Sequence, residues 1–188
     1  MRLLLGLVAS LMLTASLSSC NKDDDDSSNV WDHYTEWREA NDKFFEDQKY
    51  TIAPDGQNYY QTLTPPWNTG VSILIRYLND RSKTVGNLSP LLNSTVDVKY
   101  IGHLYDGVAF DSSYTQTAWG DSIFRTSVNT LIDGWTIALQ DMRCGDSAQI
   151  IIPYTLAYGA QSSGKVKPYS TLIFNVKLVD IPFYEVRP

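Results

Sequence analysis

Apolar and polar positions alternate most regularly in the second half of the chain. Val96, Val98 and Tyr100 alternate with polar neighbours, which predicts a strand over residues 96–105. Asp106-Gly107 is a hairpin turn signal, and Val108-Ala109-Phe110 begins the returning strand. Residues 148–152 and 171–179 read as two further strands, the second offering Leu172, Phe174, Val176 and Leu178 to a core. Between them the period changes. Trp135, Ala138, Leu139 and Met142 recur at helical spacing, predicting a short helix that opens at Asp133-Gly134-Trp135, with Asp133 as its cap. Gly145 is expected to supply the left-handed position that terminates it. The simplest way to bury these faces is an α+β fold, one short helix against a curved antiparallel sheet.

The first half is less regular. Trp31, Tyr34, Trp37, Phe44 and Phe45 fall among acids and bases over residues 30–49, a spacing that suits an amphipathic helix with Asp32 as its cap. Its aromatic stripe is expected to pack on the domain itself, with a partner surface as the alternative. Residues 50–89 are irregular to β-like, broken by the turn-rich run Thr64-Pro65-Pro66-Trp67-Asn68-Thr69-Gly70. Alternating Ile73, Ile75 and Tyr77 predict a strand over 71–78, which Asn79-Asp80-Arg81-Ser82 ends. There is no internal repeat.

The N-terminal segment changes the picture of where the chain resides. Arg2 precedes an apolar run over residues 3–17 that is too short for a stable span. Ser18 and Ser19 then lead to Cys20, the pattern of a bacterial lipoprotein signal, so residues 1–19 read as a cleaved leader and Cys20 as the lipidated new N-terminus. Acyl chains contribute about 0.8 kcal/mol per buried CH₂, so this would anchor the chain to a membrane. Residues 20–29, with four consecutive aspartates at Asp23-Asp24-Asp25-Asp26, read as a solvated tether. An acidic cluster directly after the cysteine also resembles the export signal that places some lipoproteins of Gram-negative envelopes on the outer surface. The expected location is the outer membrane, with residues 30–64 as a helical extension and 65–188 as the main domain.

Charge and composition exclude more than they identify. The net charge is −6, and loss of Arg2 with the leader makes the rest more acidic, which argues against nucleic-acid binding. With Cys20 lipidated, Cys144 has no disulfide partner; its helix-exit turn suits a small half-buried thiol. His33 and His103 stand apart, and no metal-ligand cluster, phosphate loop or nucleophile–base pair is visible.

Function comes from a conjunction of short motifs. Tyr100-Ile101-Gly102, Phe110-Asp111-Ser112-Ser113, Leu131-Ile132-Asp133-Gly134-Trp135, Ala157-Tyr158-Gly159 and Thr171-Leu172-Ile173-Phe174 occur in that order. Any one of these aromatics could be an ordinary core residue. Together they resemble the FK506-binding-protein (FKBP) family of peptidyl-prolyl isomerases. The resemblance implies the family's curved sheet around one helix, here with an extra N-terminal amphipathic helix. It also implies an aromatic cup for proline: Tyr100, Phe110 and Asp111 on its wall, Trp135 as its floor, Phe174 closing it. Tyr158 would donate a hydrogen bond to the substrate carbonyl, and Asp111 would be a buried acceptor held by the Tyr100 hydroxyl. Leu131, Ile132 and Ala157 would contact substrate, with Val166 at the rim.

Three departures from the family pattern bear on the cup. The arginine that often pairs with the pocket acid is missing from Tyr114-Thr115-Gln116-Thr117 unless Arg125 reaches Asp111. Only Phe124 stands where a pair of aromatics is common, with Trp119 as a candidate replacement. Lys165-Val166-Lys167-Pro168 is basic where the family loop is apolar. The resemblance implies isomerisation of X-Pro bonds in exported or envelope proteins with no cofactor. The alternative is a non-catalytic FKBP-fold chaperone or peptide-binding subunit.

Overall fold

The computed structural model describes residues 33–183. Trp31, Asp32, the leader, Cys20 and the acidic tether all lie outside the described residues. Among the described residues no helix is long and apolar enough to cross a membrane. The elements are α1 (Thr35–Lys49), β1 (Gln61–Leu63), β2 (Ile73–Tyr77), β3 (Thr95–Leu104), β4 (Ala109–Ser112), β5 (Phe124–Ser127), α2 (Asp133–Asp141), β6 (Ser147–Ile152) and β7 (Leu172–Asp180).

One antiparallel sheet runs β1-β2-β6-β7-β3-β4. Its centre is β3, the longest strand, which pairs with β7 along one edge. The other edge of β3 has two successive neighbours: residues 95–98 pair with β5, and residues 101–103 pair with β4. The β3–β4 hairpin closes at Gly107, whose φ of +86° is the left-handed turn conformation that favours glycine. Between these two neighbours, Lys99 and Tyr100 have no strand partner on that edge.

The concave face carries the main core. Val96, Val98, Tyr100, Leu172, Phe174, Val176 and Leu178 alternate inward, as period-two patterning requires, and pack against Trp135, Ala138, Leu139 and Met142 of and just after α2. Gly134 makes this approach close: a Cβ there would lie 2.3 Å from Cγ2 of Ile152. The helix start differs from the sequence expectation. Ile132, in extended conformation, is the cap, and Asp133 is the first helical residue, its carboxylate in the first turn where it complements the positive end of the helix dipole. The helix also ends differently, on Met142 in extended conformation. Gly145, at φ +93°, belongs to the turn that enters β6.

The outer face is covered as well. Leu74, Ile151 and Ile173 form a row across β2, β6 and β7, and Leu74 and Ile151 are buried under Phe45 of α1 and Tyr60. Each such side chain contributes roughly 1.5–3 kcal/mol when fully buried. The helix is locked in register by Asn41. Its Oδ1 accepts the Thr171 backbone N–H at 2.7 Å, and its Nδ2 donates to the Trp37 carbonyl at 2.7 Å. The Trp37 indole N–H donates to Ser170 Oγ at 3.2 Å, and its ring meets Tyr105 edge-on at 5.0 Å. Trp37, Phe44 and Phe45 of the aromatic stripe therefore pack on their own domain, while Trp31 lies outside the described residues.

Asp146 organises the turn between α2 and β6. Its buried carboxylate accepts from Thr84 Oγ1 at 2.7 Å, Asn79 Nδ2 at 3.0 Å and the Arg143 backbone N–H at 2.9 Å, and lies 3.3 Å from Arg81 Nε. Burial alone would raise its pKa, but the donors and the guanidinium outweigh burial and hold it below the usual carboxylate value. Cys144 beside it is a half-buried free thiol whose pKa burial pushes up.

Two outcomes are expected. Asn41→Ala orphans the buried Thr171 N–H and should cost about 1–3 kcal/mol in urea unfolding. A carboxyl with a depressed folded pKa stabilises the fold above its unfolded pKa, about 3.9, and loses that contribution as pH falls through the lower folded value. Stability of the natural chain should therefore drop below about pH 4, and Asp146→Asn should be less stable at neutral pH with a flatter acid limb.

Candidate active site

Four aromatic rings stand edge to face above the second half of β3. The Trp135 ring, in the first turn of α2, lies 5.1 Å from Phe174 and 5.2 Å from Tyr100 at near-perpendicular angles. Phe110 of β4 meets Phe174 at 5.5 Å and 79°. These are the arrangements that ring quadrupoles favour, so the cluster is well packed without being filled. Gly102 is the reason Phe110 and Phe174 can converge: a Cβ there would lie 2.7 Å from Phe110 Cζ and 2.8 Å from Phe174 Cε1. The Y-x-G motif thus supplies one ring and the space for two others.

The rings enclose a cavity of about 230 Å³, lined also by Asp111, Phe124, Thr130, Leu131, Ile132 and Tyr158. That is below the roughly 300–1,000 Å³ of sites for drug-sized ligands, and suits one small ring. All six residues expected to form the cup line it: Tyr100, Phe110, Asp111, Trp135, Tyr158 and Phe174. Leu131 and Ile132 line it too. Ala157 and Val166 do not. Ala157 packs against the main core beneath the loop, and Val166 is buried in that core. Ser163 and Val166 exchange backbone hydrogen bonds of 2.9 Å, a tight turn that tucks Val166 inward. Thr130 is an additional lining residue that the sequence reading missed, and Phe124, noted there only as the remaining member of a family aromatic pair, lines the cavity as well. Phe124 pairs with Val98 and so shares the inward face of Tyr100, two residues on.

The polar groups are few. Asp111 accepts the Tyr100 hydroxyl at 2.6 Å and its neighbour's backbone N–H, from Ser112, at 2.7 Å. Contrary to the sequence expectation Asp111 is exposed, at the cavity edge on the two-neighbour side of β3. Burial first, then the Asp111 carboxylate, push the Tyr100 phenol well above its ordinary pKa, so it stays a donor through the physiological range. Ser113 is buried and pins the hairpin: its Oγ accepts the Tyr100 backbone N–H at 2.9 Å, and its own N–H donates to the Tyr100 carbonyl at 3.0 Å. The F-D-S-S motif therefore delivers a ring, a carboxylate and the latch that holds both against Tyr100.

Arg125 does not reach Asp111. It makes a bidentate pair with Asp97, two bonds of 2.6 Å, and its guanidinium lies 4.6 Å from the Trp119 ring centre. Trp119, 56% exposed, is therefore occupied by Arg125 outside the cavity and does not replace a cup ring. Tyr158 follows the one-turn helix Tyr154–Leu156 and is 37% exposed. The chain turns sharply at Gly159, φ +60°, whose N–H donates to the Tyr154 carbonyl at 2.9 Å. The Tyr158 hydroxyl has no partner among the described residues, leaving one free donor at the mouth of an apolar cup.

A family model described as FKBP-type peptidyl-prolyl cis-trans isomerase matches residues 86–179. The macrophage infectivity potentiator of Trypanosoma cruzi is 43% identical over 97 residues, 51% of this chain and 47% of that protein. The outer membrane protein MIP of Legionella longbeachae is 41% identical over 93 residues, 49% of this chain and 38% of that protein. The chain thus spans less than half the length of these curated relatives. A solved peptidyl-prolyl cis-trans isomerase from Pseudomonas syringae superposes with a TM-score of 0.62 at 28% identity, covering 79% of this chain and 95% of that one.

Gly102→Ala should push Phe110 and Phe174 apart. Expected are a stability loss of about 1–3 kcal/mol in urea unfolding and altered near-ultraviolet circular dichroism from the disturbed rings.

Proposed function

Because the chain belongs to the FKBP-type peptidyl-prolyl cis-trans isomerase family, we propose that it accelerates rotation about X-Pro bonds in exported or envelope polypeptides. The observation that carries this reading is an apolar cup with one free hydroxyl donor at its mouth. The X-Pro barrier of about 18–20 kcal/mol comes from amide resonance, so no covalent step is needed to lower it. The planar amide is polar and loses much of that polarity as it twists. An aromatic, water-poor cup on Trp135 therefore disfavours the planar ground state more than the twisted one. The negative end of the carbonyl is repelled by Asp111 and drawn to the Tyr158 hydroxyl, which fixes the direction of twist. Tyr100 holds Asp111 in place. Uncatalysed isomerisation takes tens to hundreds of seconds, slow enough to limit folding.

Leu131 and Ile132 would flank the bound proline at the cavity wall. Ala157 and Val166 would act from the core, by supporting the loop that carries Tyr158. The location is part of the same reading. Residues 1–19 as a leader, Cys20 as a lipidated N-terminus and residues 20–29 as a tether would anchor the domain in a Gram-negative outer membrane. One bacterial relative is named an outer membrane protein. Residues 30–64 then form the extension between tether and the domain of residues 65–188.

Tyr158→Phe should lower kcat/KM for a short X-Pro peptide about tenfold with the unfolding midpoint unchanged, and Asp111→Ala somewhat less, with the domain still folded. Unchanged turnover in both variants would remove these residues from the mechanism. Saturable peptide binding with no acceleration by the natural chain would favour a holding chaperone built on the same cup.

A further inference from the structure

The cup is the first of three neighbouring hollows that share lining residues. Leu131 forms part of its wall and is also a wall of a larger hollow of about 530 Å³. This second hollow lies between Trp67 and Leu92 on one side and Asp133, Thr136 and Gln140 of α2 on the other. Trp67 and Gln140 pass on to a third, of about 300 Å³, walled by Pro65 and Pro66. Together they make a trough along the solvent side of α2, ending at the proline-rich turn.

The lining is unusual for a surface that merely faces water. Trp67 is 61% exposed and Leu92 48%, and neither has a ring or cation partner among the described residues. Contiguous exposed apolar surface beside a polar rim marks a recognition site. Asp133 is exposed beside them, with no ion pair among the described residues, so its charge is free to meet a cation. A cup that holds about one ring forces the residues flanking a bound proline onto its rim, and a chain extended at about 3.3 Å per residue must continue somewhere. Leu131 is the one residue common to the cup and the second hollow.

We propose that the trough from Leu131 to Trp67 is a second subsite for unfolded polypeptide. It takes an apolar or aromatic side chain that lies a few residues from the proline in the cup, with a lysine or arginine favoured beside Asp133. The proposal rests on the isomerase reading of the cup and extends it. A four-residue peptide would reach only the cup, whereas an unfolded protein would occupy both sites and bind more tightly.

The test compares the full natural chain with Trp67→Ala and, as an independent variant, Leu92→Ser; both side chains are exposed enough to be replaced without opening the core. Three probes are used: a four-residue X-Pro peptide, a reduced carboxymethylated ribonuclease whose refolding waits on an X-Pro bond, and a permanently unfolded carboxymethylated lactalbumin. Both variants should keep the peptide rate within about twofold, while kcat/KM for the ribonuclease falls about fivefold or more through KM, and lactalbumin binding weakens similarly. Equal losses on peptide and protein, or no loss on either, would overturn the subsite. A concentration-dependent dimer that Trp67→Ala dissociates, with lactalbumin binding unchanged, would assign the face to a second copy of the chain instead. If the natural chain accelerates neither peptide nor ribonuclease, the isomerase reading fails, and the trough stands or falls on lactalbumin binding alone.

Discussion

The approach of α2 to the concave face of the sheet is the constraint on which the site depends. It is set by Gly134, where any Cβ would collide with Ile152 2.3 Å away. With that backbone seated against β6, the next residue, Trp135, is carried into the concavity and its ring reaches Phe174 and Tyr100. Gly102 repeats the device on β3, giving up its side chain so that Phe110 and Phe174 can meet. Two missing methyl groups thus determine where four rings stand. The rings are core residues on one side and cavity walls on the other, so the packing that stabilises the domain also preorganises the cup.

Electrostatics separates two acids on neighbouring parts of β3 and β4. Asp97 is nearly buried and takes Arg125 as a bidentate partner, a pairing that ties β3 to β5. Asp111 is left with a phenol and a backbone N–H at the cavity edge. Arg125 therefore does not supply the missing family arginine; the nearest arginine in sequence is spent on holding the sheet. The result is a site with one fixed negative charge, one free hydroxyl and otherwise aromatic and aliphatic walls. That is a poor environment for acid–base or nucleophilic chemistry, and a suitable one for rotating a neutral amide.

Much of this was legible in the sequence because strong local signals coincide with tertiary ones. The alternation at Val96, Val98 and Tyr100, the Asp106-Gly107 turn and the helical spacing from Trp135 to Met142 are each period patterns tied to one buried face. The six cup residues were found through the order of their motifs; no single aromatic distinguishes itself from a core residue by periodicity. What was missed had weaker signals. Thr130 carries no periodic or motif signal, and Phe124, legible only as the remaining member of a family aromatic pair, sits in a strand too short to display alternation, so its place on the cup wall follows from its pairing with Val98. The partner of Arg125 depended on register between β3 and β5. Val166 turned inward because a two-bond turn closes at Ser163, where a polar, lysine-flanked loop suggested a rim. The second covered face was signalled by the unbroken run Ile150-Ile151-Ile152 and by Leu74 between Ile73 and Ile75, since strands buried on both faces lose alternation.

The central claim, that the aromatic cup itself lowers the X-Pro barrier, is tested most directly by exchange spectroscopy of a short X-Pro peptide. Cis and trans proline signals interconvert too slowly alone to show cross-peaks on a subsecond mixing time. Substoichiometric natural chain should produce cis–trans cross-peaks whose intensity grows with protein concentration. Saturable broadening of the proline signals without any exchange between them would contradict the account, since the cup would then bind the ring without easing its rotation.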